Sequence, residues 1–100
     1  MAKKIVWSIK AQNDRKEIFT YWNARNQSTV YSRKLNVLII EAIKAISNFP
    51  NIGKLTGYKN TRVKIVRDYL IVYKELDSEI IILTIWDSRQ NPLKLQKILQ

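Results

Sequence analysis

Between Tyr31 and Phe49 apolar side chains recur at intervals of four, three, four, three and four residues, through Tyr31, Leu35, Leu38, Ala42, Ala45 and Phe49. This is helical spacing, and Ile39, Ile43 and Ile46 widen the stripe, so the sequence predicts a helix buried over more than a third of its circumference. Ser28 is placed to cap its start, and Asn48, Pro50, Asn51 and Gly53 end it. Upstream, from Ala11, the polar residues Asp14, Arg15 and Glu17 are interleaved with Ile18, Phe19, Tyr21 and Trp22, which predicts a second amphipathic helix ending within Asn23–Gln27. Two adjacent helices with a short polar joint form a hairpin whose apolar face must be covered.

The cover comes from runs with a different period. Lys4–Trp7, closed by Ser8, reads as a short strand, with Ser8 also placed to cap the following helix. Thr61, Val63 and Ile65 alternate with Arg62 and Lys64. Tyr69–Tyr73 is β-branched and aromatic after an Arg67-Asp68 corner, and Ile80–Trp86 is almost wholly apolar. These are three strands in meander order, the last of them suited to the interior of a sheet. Asp87–Pro92 breaks the sheet, and Leu93–Leu99 has room for a short terminal helix. The predicted class is α+β: a small twisted antiparallel sheet packed against an N-terminal helical hairpin, in the order β-α-α-β-β-β. With no internal repeat, low-complexity tract or Gly/Ser linker, residues 1–100 are expected to form a single domain.

Composition narrows the chemistry. The chain has 18 Lys and Arg against 8 Asp and Glu, a net charge of +10, with no Cys and no His. Disulfides, thiolate chemistry and the commonest metal ligand and general base are therefore out of reach, and no metal or cofactor is expected. An apolar fraction of 46% argues against a disordered basic tail. No run approaches the roughly 20 apolar residues that span a bilayer, and Met1–Lys10 has no signal-peptide core, so a cytoplasmic location without membrane association is expected. The positive charge is regional. From Ala42 to Arg67 there is no acidic residue, while Lys44, Lys54, Lys59, Arg62, Lys64 and Arg67 all fall in that window. Such a field favours polyanions and acidic proteins without choosing between them, and an ordinary solvated face has the same composition.

The arrangement as a whole resembles the RelE/ParE superfamily of type II toxin-antitoxin toxins. The resemblance is carried by Trp7-Ser8 followed by Ala11 and Asp14; Ile18 with Tyr21-Trp22; Leu35, Ile39 and Ile46; Pro50-Asn51-Ile52-Gly53-Lys54; the hairpin Arg67-Asp68-Tyr69-Leu70-Ile71-Val72-Tyr73; and Ile85-Trp86-Asp87-Ser88-Arg89-Gln90-Asn91-Pro92. It spans about residues 4–95. It implies a growth-arresting toxin, of the kind associated with plasmid stabilization, neutralised by a cognate antitoxin in a hetero-oligomer. Superfamily antitoxins commonly wrap an acidic or amphipathic tail around the toxin, which suits a chain of charge +10.

The superfamily has two principal targets. RelE-like members cut messenger RNA on the ribosome without a metal, and ParE-like members inhibit DNA gyrase. Metal-free RNA cleavage needs a base for the 2′-hydroxyl, cations on the phosphorane and an acid for the leaving oxygen. Here the parts for it are Arg62, Lys64, Arg67 and Arg89, with Tyr69, Tyr73 and Asp87. RelE-like nucleases generally carry a basic residue after the hairpin tyrosine, where this chain has Leu70, and a Tyr or His several residues past the last-strand arginine, where it has Gln90 to Leu95. The two mismatches favour gyrase inhibition over cleavage. A non-toxic RNA-binding domain of the same fold is the reading outside this pair. The residues expected to contact a target or antitoxin are Arg62, Lys64, Arg67, Tyr73, Arg89 and Lys94. Each has a plainer account: Tyr69, Tyr73, Trp7, Trp22 and Trp86 as core anchors, Arg67-Asp68 as a turn, Arg62 and Lys64 as a solvated strand face.

Overall fold

The computed structural model describes residues 2–99. Strand β1 (Lys4–Trp7) leads into helices α1 (Ile9–Asn26) and α2 (Val30–Asn48), then a 3₁₀ turn (Pro50–Ile52) and strands β2 (Lys54–Leu55), β3 (Thr61–Val66), β4 (Tyr69–Glu75) and β5 (Glu79–Asp87), with helix α3 (Pro92–Leu99) last. The sheet order is β1-β5-β4-β3-β2. The α+β class and the helical hairpin on one face of the sheet are as the pattern predicts. β2 to β5 are antiparallel, and β1 joins β5 in parallel, so the sheet is mixed. Only a tight turn would force the antiparallel sense, and β1 is separated from β5 by the whole hairpin and three strands.

Local chemistry explains the element ends. The Ser8 hydroxyl accepts the Ala11 N–H at 3.0 Å and starts α1, which ends at Gln27 in the left-handed region, φ 50°. The cap position of α2 is Thr29 and not Ser28, and the Thr29 side chain makes no cap bond; the Ser28 hydroxyl, one residue earlier, accepts the Val30 N–H at 3.2 Å. On α2 the buried stripe runs through Leu35, Ile39, Ala42, Ile43 and Ile46. Phe49, placed on the stripe by its spacing, is instead 68% exposed. The helix stops at Asn48 and Phe49 takes φ −135°, so a four-residue step no longer returns to the same face.

The core lies between α2 and the face of the sheet bearing Tyr69, Ile71 and Tyr73, with Ile18, Phe19 and Trp22 of α1 packed against it. A bulge gives β5 its continuous apolar run. Val72 faces Thr84 while the next residue, Tyr73, faces Ile82, so Leu83 is an extra residue and Ile80, Ile82 and Ile85 all reach the same core. On the other face Val72 and Thr84 are fully buried and Trp86 nearly so. Among the described residues no helix is long and apolar enough to cross a membrane, and no group of three Asp or Glu side chains could hold a metal ion.

Candidate functional site

The chemistry-bearing residues divide between two ends of the sheet. At one end the β3–β4 turn meets the exit of β5. Arg67 occupies the turn in the left-handed region, φ 56°, and the Ser88 N–H donates to the Asp68 carbonyl at 2.8 Å, tying the two loops together. Asp87 then organises Arg89: its carboxylate accepts the Arg89 backbone N–H at 2.9 Å, Nε at 2.9 Å and Nη2 at 2.8 Å. This fork geometry fixes the guanidinium plane while half the side chain stays exposed. The hydrogen bonds from Arg89 hold the Asp87 carboxyl below the usual carboxylate range, and Asp87 in turn raises the Arg89 pKa.

Between this pair and α1 lies an open cleft of about 430 Å³, lined among others by Asp14, Glu17, Tyr21, Tyr69, Asp87 and Arg89. Tyr69 forms its floor. Its hydroxyl accepts the Trp22 Nε1–H at 2.7 Å, which locks α1 onto β4. Burial raises the Tyr69 pKa above the ordinary phenol value, the Trp22 hydrogen bond opposes this, and the Asp87 charge adds to the rise.

The opposite end is built around Gly53. The Tyr73 hydroxyl donates to the Pro50 carbonyl at 2.7 Å and accepts the Gly53 N–H at 2.9 Å, while Arg62 Nη1 donates to the Gly53 carbonyl at 2.9 Å and the Asn51 carbonyl at 3.4 Å. Tyr73 is 0% exposed and its pKa is also raised by burial, opposed by the Gly53 N–H and the Arg62 charge. It offers no surface to a partner. What it contributes to any interface is the fixed shape of the 50–53 turn.

The expected site residues are therefore not one cluster. Arg67 and Arg89 share the cleft end. Arg62 stands opposite Tyr73 and Lys64 opposite Ile71, which places both on the helix side of the sheet, the side that Tyr69 and Asp87 share, so position along the strands and not the face separates Arg62 from Arg89. Arg62 is four strand positions from the Tyr69–Asp87 pair, on the order of 13 Å along β4. Lys94 is exposed on the first turn of α3, whose start is capped by the Asn91 side chain accepting the Leu93 N–H at 3.0 Å. Sequence reasoning did not assign Glu17 and Tyr21 to the cleft, because nothing in the helical period says which polar residues of α1 border β5. The signal that was available is Asp14, an acid at the start of α1 within the resemblance.

Two tyrosines with raised pKa values make a checkable consequence. Both phenols are held neutral in the fold, so their contribution to stability is present below the unfolded value of about 10 and is lost as pH rises through the higher folded values. Of the five Tyr, two should ionise late in a spectrophotometric alkaline titration. Tyr69→Phe and Tyr73→Phe should each remove one late-titrating phenol, and a single ordinary titration of all five would contradict the burial argument.

Comparison with known proteins bears directly on this geometry. The family model described as "ParE toxin of type II toxin-antitoxin system, parDE" matches residues 5–92. The chain belongs to the ParE toxin family. The fold agrees with a solved structure titled "Chromosomal ParDE TA system from P. aeruginosa", with a TM-score of 0.73 over 84% of this chain and 94% of that one, at 19% sequence identity. No curated protein sequence matches. As a ParE-family toxin, the chain shares its overall fold with that structure while sharing fewer than one residue in five with it. Resemblance at that level reports the fold, so side chains must carry the functional reading.

Proposed function

We propose that this toxin acts by binding, as a ParE-like inhibitor of DNA gyrase, and that it arrests growth in the cytoplasm until a cognate antitoxin occludes it. Membership of the ParE family supports the toxin part. The observation that carries the choice of binding over cleavage is the separation of Arg62 from Arg89. Arg62 is turned onto the Asn51 and Gly53 carbonyls at one end of the sheet, and Arg89 is clamped by Asp87 at the other, so they do not converge on one phosphate. Cleavage through a 2′-hydroxyl needs a base, an acid and a cation within hydrogen-bond reach of the same few atoms. Inhibition by contact needs only a presented surface. Arg89 is a presented cation: Asp87 occupies its Nε and Nη2, about half of its side chain stays exposed, and its remaining N–H groups are left for a partner's carboxylate or carbonyl.

The test sets the purified toxin against both targets. Gyrase with relaxed plasmid should lose supercoiling activity, and messenger RNA on translating ribosomes should stay intact. Ribosome-dependent cuts with unaffected supercoiling would reverse the assignment. Arg89→Ala should leave the thermal melt in place and abolish growth inhibition on induction. Full toxicity in that variant would remove Arg89 from the contact surface.

A further inference from the structure

Single exposed apolar side chains are ordinary on a protein surface, but here three large ones fall within seven residues: Phe49 at 68%, Ile52 at 44% and Leu55 at 76% exposure. They come at three-residue intervals across the end of α2, the 3₁₀ turn and β2. The Ile52 N–H donates to the Phe49 carbonyl at 2.9 Å, which closes the turn and holds Phe49 and Ile52 at its two ends. Leu55 stands opposite Arg62 on the neighbouring strand, and Arg62 is hydrogen bonded back to the carbonyls of Asn51 and Gly53. Tyr73 pins the same turn from beneath through Pro50 and Gly53. The patch is thus held rigid from inside, although none of its three apolar side chains is buried.

Its charge is one-sided. The described residues contain ion pairs at Lys3–Glu75, Lys10–Asp14 and Arg89–Asp87, and none involves Lys54, Arg62 or Lys64. Sequence explains why: the nearest acids in the chain are Glu41 and Asp68, on either side of a stretch with none. Arg62 lies beside Leu55, and Lys64 follows it on the same strand face. Nucleic acid would use these cations on phosphates and would stack its bases on aromatic rings, but two of the three anchors here are aliphatic. Aliphatic anchors rimmed by unpaired cations fit a protein segment that alternates apolar and acidic residues.

We propose that the Phe49–Leu55 corner is a docking site for an acidic, apolar-anchored segment of the cognate antitoxin, separate from the surface around Arg89. The inference rests on the toxin reading above and adds to it the place and chemistry of the contact. Antitoxin binding at this corner leaves the Arg89 end to be covered by another part of the same partner.

The experiment titrates the purified cognate antitoxin against the full-length toxin, with Leu55→Glu and Phe49→Ser as variants. Both positions are exposed, so circular dichroism and the melt should be unchanged; Leu55→Ser serves if the charged variant folds poorly. Losing a buried leucine-sized anchor and adding a like-signed charge to the partner's acids should weaken binding about 10- to 100-fold. The residual affinity should also fall less steeply with salt in Arg62→Gln. Unchanged affinity in Leu55→Glu and Phe49→Ser while wild type binds would overturn the docking site and leave the toxin reading intact. Failure of the wild-type toxin to bind the antitoxin would overturn both. Patch-dependent binding to anionic vesicles with antitoxin affinity unaffected would assign the corner to a lipid surface and overturn the proposal.

Discussion

Replacing Gly53 by alanine should destabilise the toxin by about 2–4 kcal/mol, an overpacking cost added to a damaged hydrogen bond. The reason is space. Gly53 has φ −78° and ψ 162°, a conformation any residue adopts. A Cβ there would lie 2.6 Å from the Tyr73 hydroxyl oxygen, 2.9 Å from Tyr73 Cε1 and 2.9 Å from the Val63 carbonyl oxygen. Tyr73 is fully buried and the Val63 carbonyl belongs to β3, so neither can withdraw as a surface side chain would. To make room the 50–53 turn must lift from β4, which also breaks the Gly53 N–H bond to Tyr73 and misplaces the carbonyls that hold Arg62. For a domain of this length a loss of that size lowers the melting temperature by roughly 10–25 °C. Thermal and urea unfolding of Gly53→Ala, Tyr73→Phe and the double variant give the check. Phenylalanine removes the closest contact but keeps Cε1, so the pair should be less than additive. Additive losses would mean that the turn yields somewhere other than at Tyr73.

That turn also marks the limit of what the sequence discloses. Asn48, Pro50, Asn51 and Gly53 predict that a helix ends there, because their backbone preferences are local. That Gly53 is required by a tyrosine 20 residues later is a long-range fact with no periodicity of its own. The same division runs through the molecule. Ser8 is legible as a cap, the α2 stripe as a buried face, and Tyr69 and Tyr73 as core residues, because period and propensity act over a few residues. The two-residue β2 is too short to show a pattern, and the parallel sense of β1 depends on where β5 arrives. The candidate site suffers most. Charge counting gathers Arg62, Lys64, Arg67 and Arg89 into one basic surface, whereas the register separates Arg62 from Arg89 and gives Arg89 its own acid. Exposure of Phe49 was hidden for a related reason, since its spacing agrees with α2 and only the end of the helix turns it outward.

The second large effect concerns the edge that β5 leaves open. β1 stops at Trp7, opposite Ile82, while β5 runs on to Asp87, so the backbone beyond Ile82 has no strand beside it on that side. An open edge inside a packed sheet leaves polar groups that must be satisfied. The chain solves this with the start of α1. The Ser8 N–H donates to the Ile82 carbonyl at 3.0 Å and the Ser8 hydroxyl to the Leu83 carbonyl at 2.8 Å. Asp14, nearly two turns further along, accepts the Ile85 N–H at 3.2 Å and the Thr84 hydroxyl, and pairs with Lys10 at 2.9 Å. Lys10 in turn lies 5.7 Å from the centre of the Trp86 ring, so one carboxylate joins the helix, the open edge and a cation over the outer face. Asp14→Ala should therefore cost about 2–4 kcal/mol: the Thr84 hydroxyl, fully buried, and the Ile85 N–H lose a charged acceptor with nothing to replace it. Asp14→Asn keeps an acceptor oxygen and should cost about half as much, because the charge assistance goes while the geometry stays. Amide exchange distinguishes this from a general loosening. Protection of Ile85 should fall further in Asp14→Ala than protection of Ile71, which is bonded within the interior of the sheet, and the Arg89 end of the cleft should lose its fixed distance from α1. Equal losses at Ile85 and Ile71 would mean that Asp14 supports the whole fold and not the edge, and the cleft wall would then owe its position to Tyr69 and Trp22 alone.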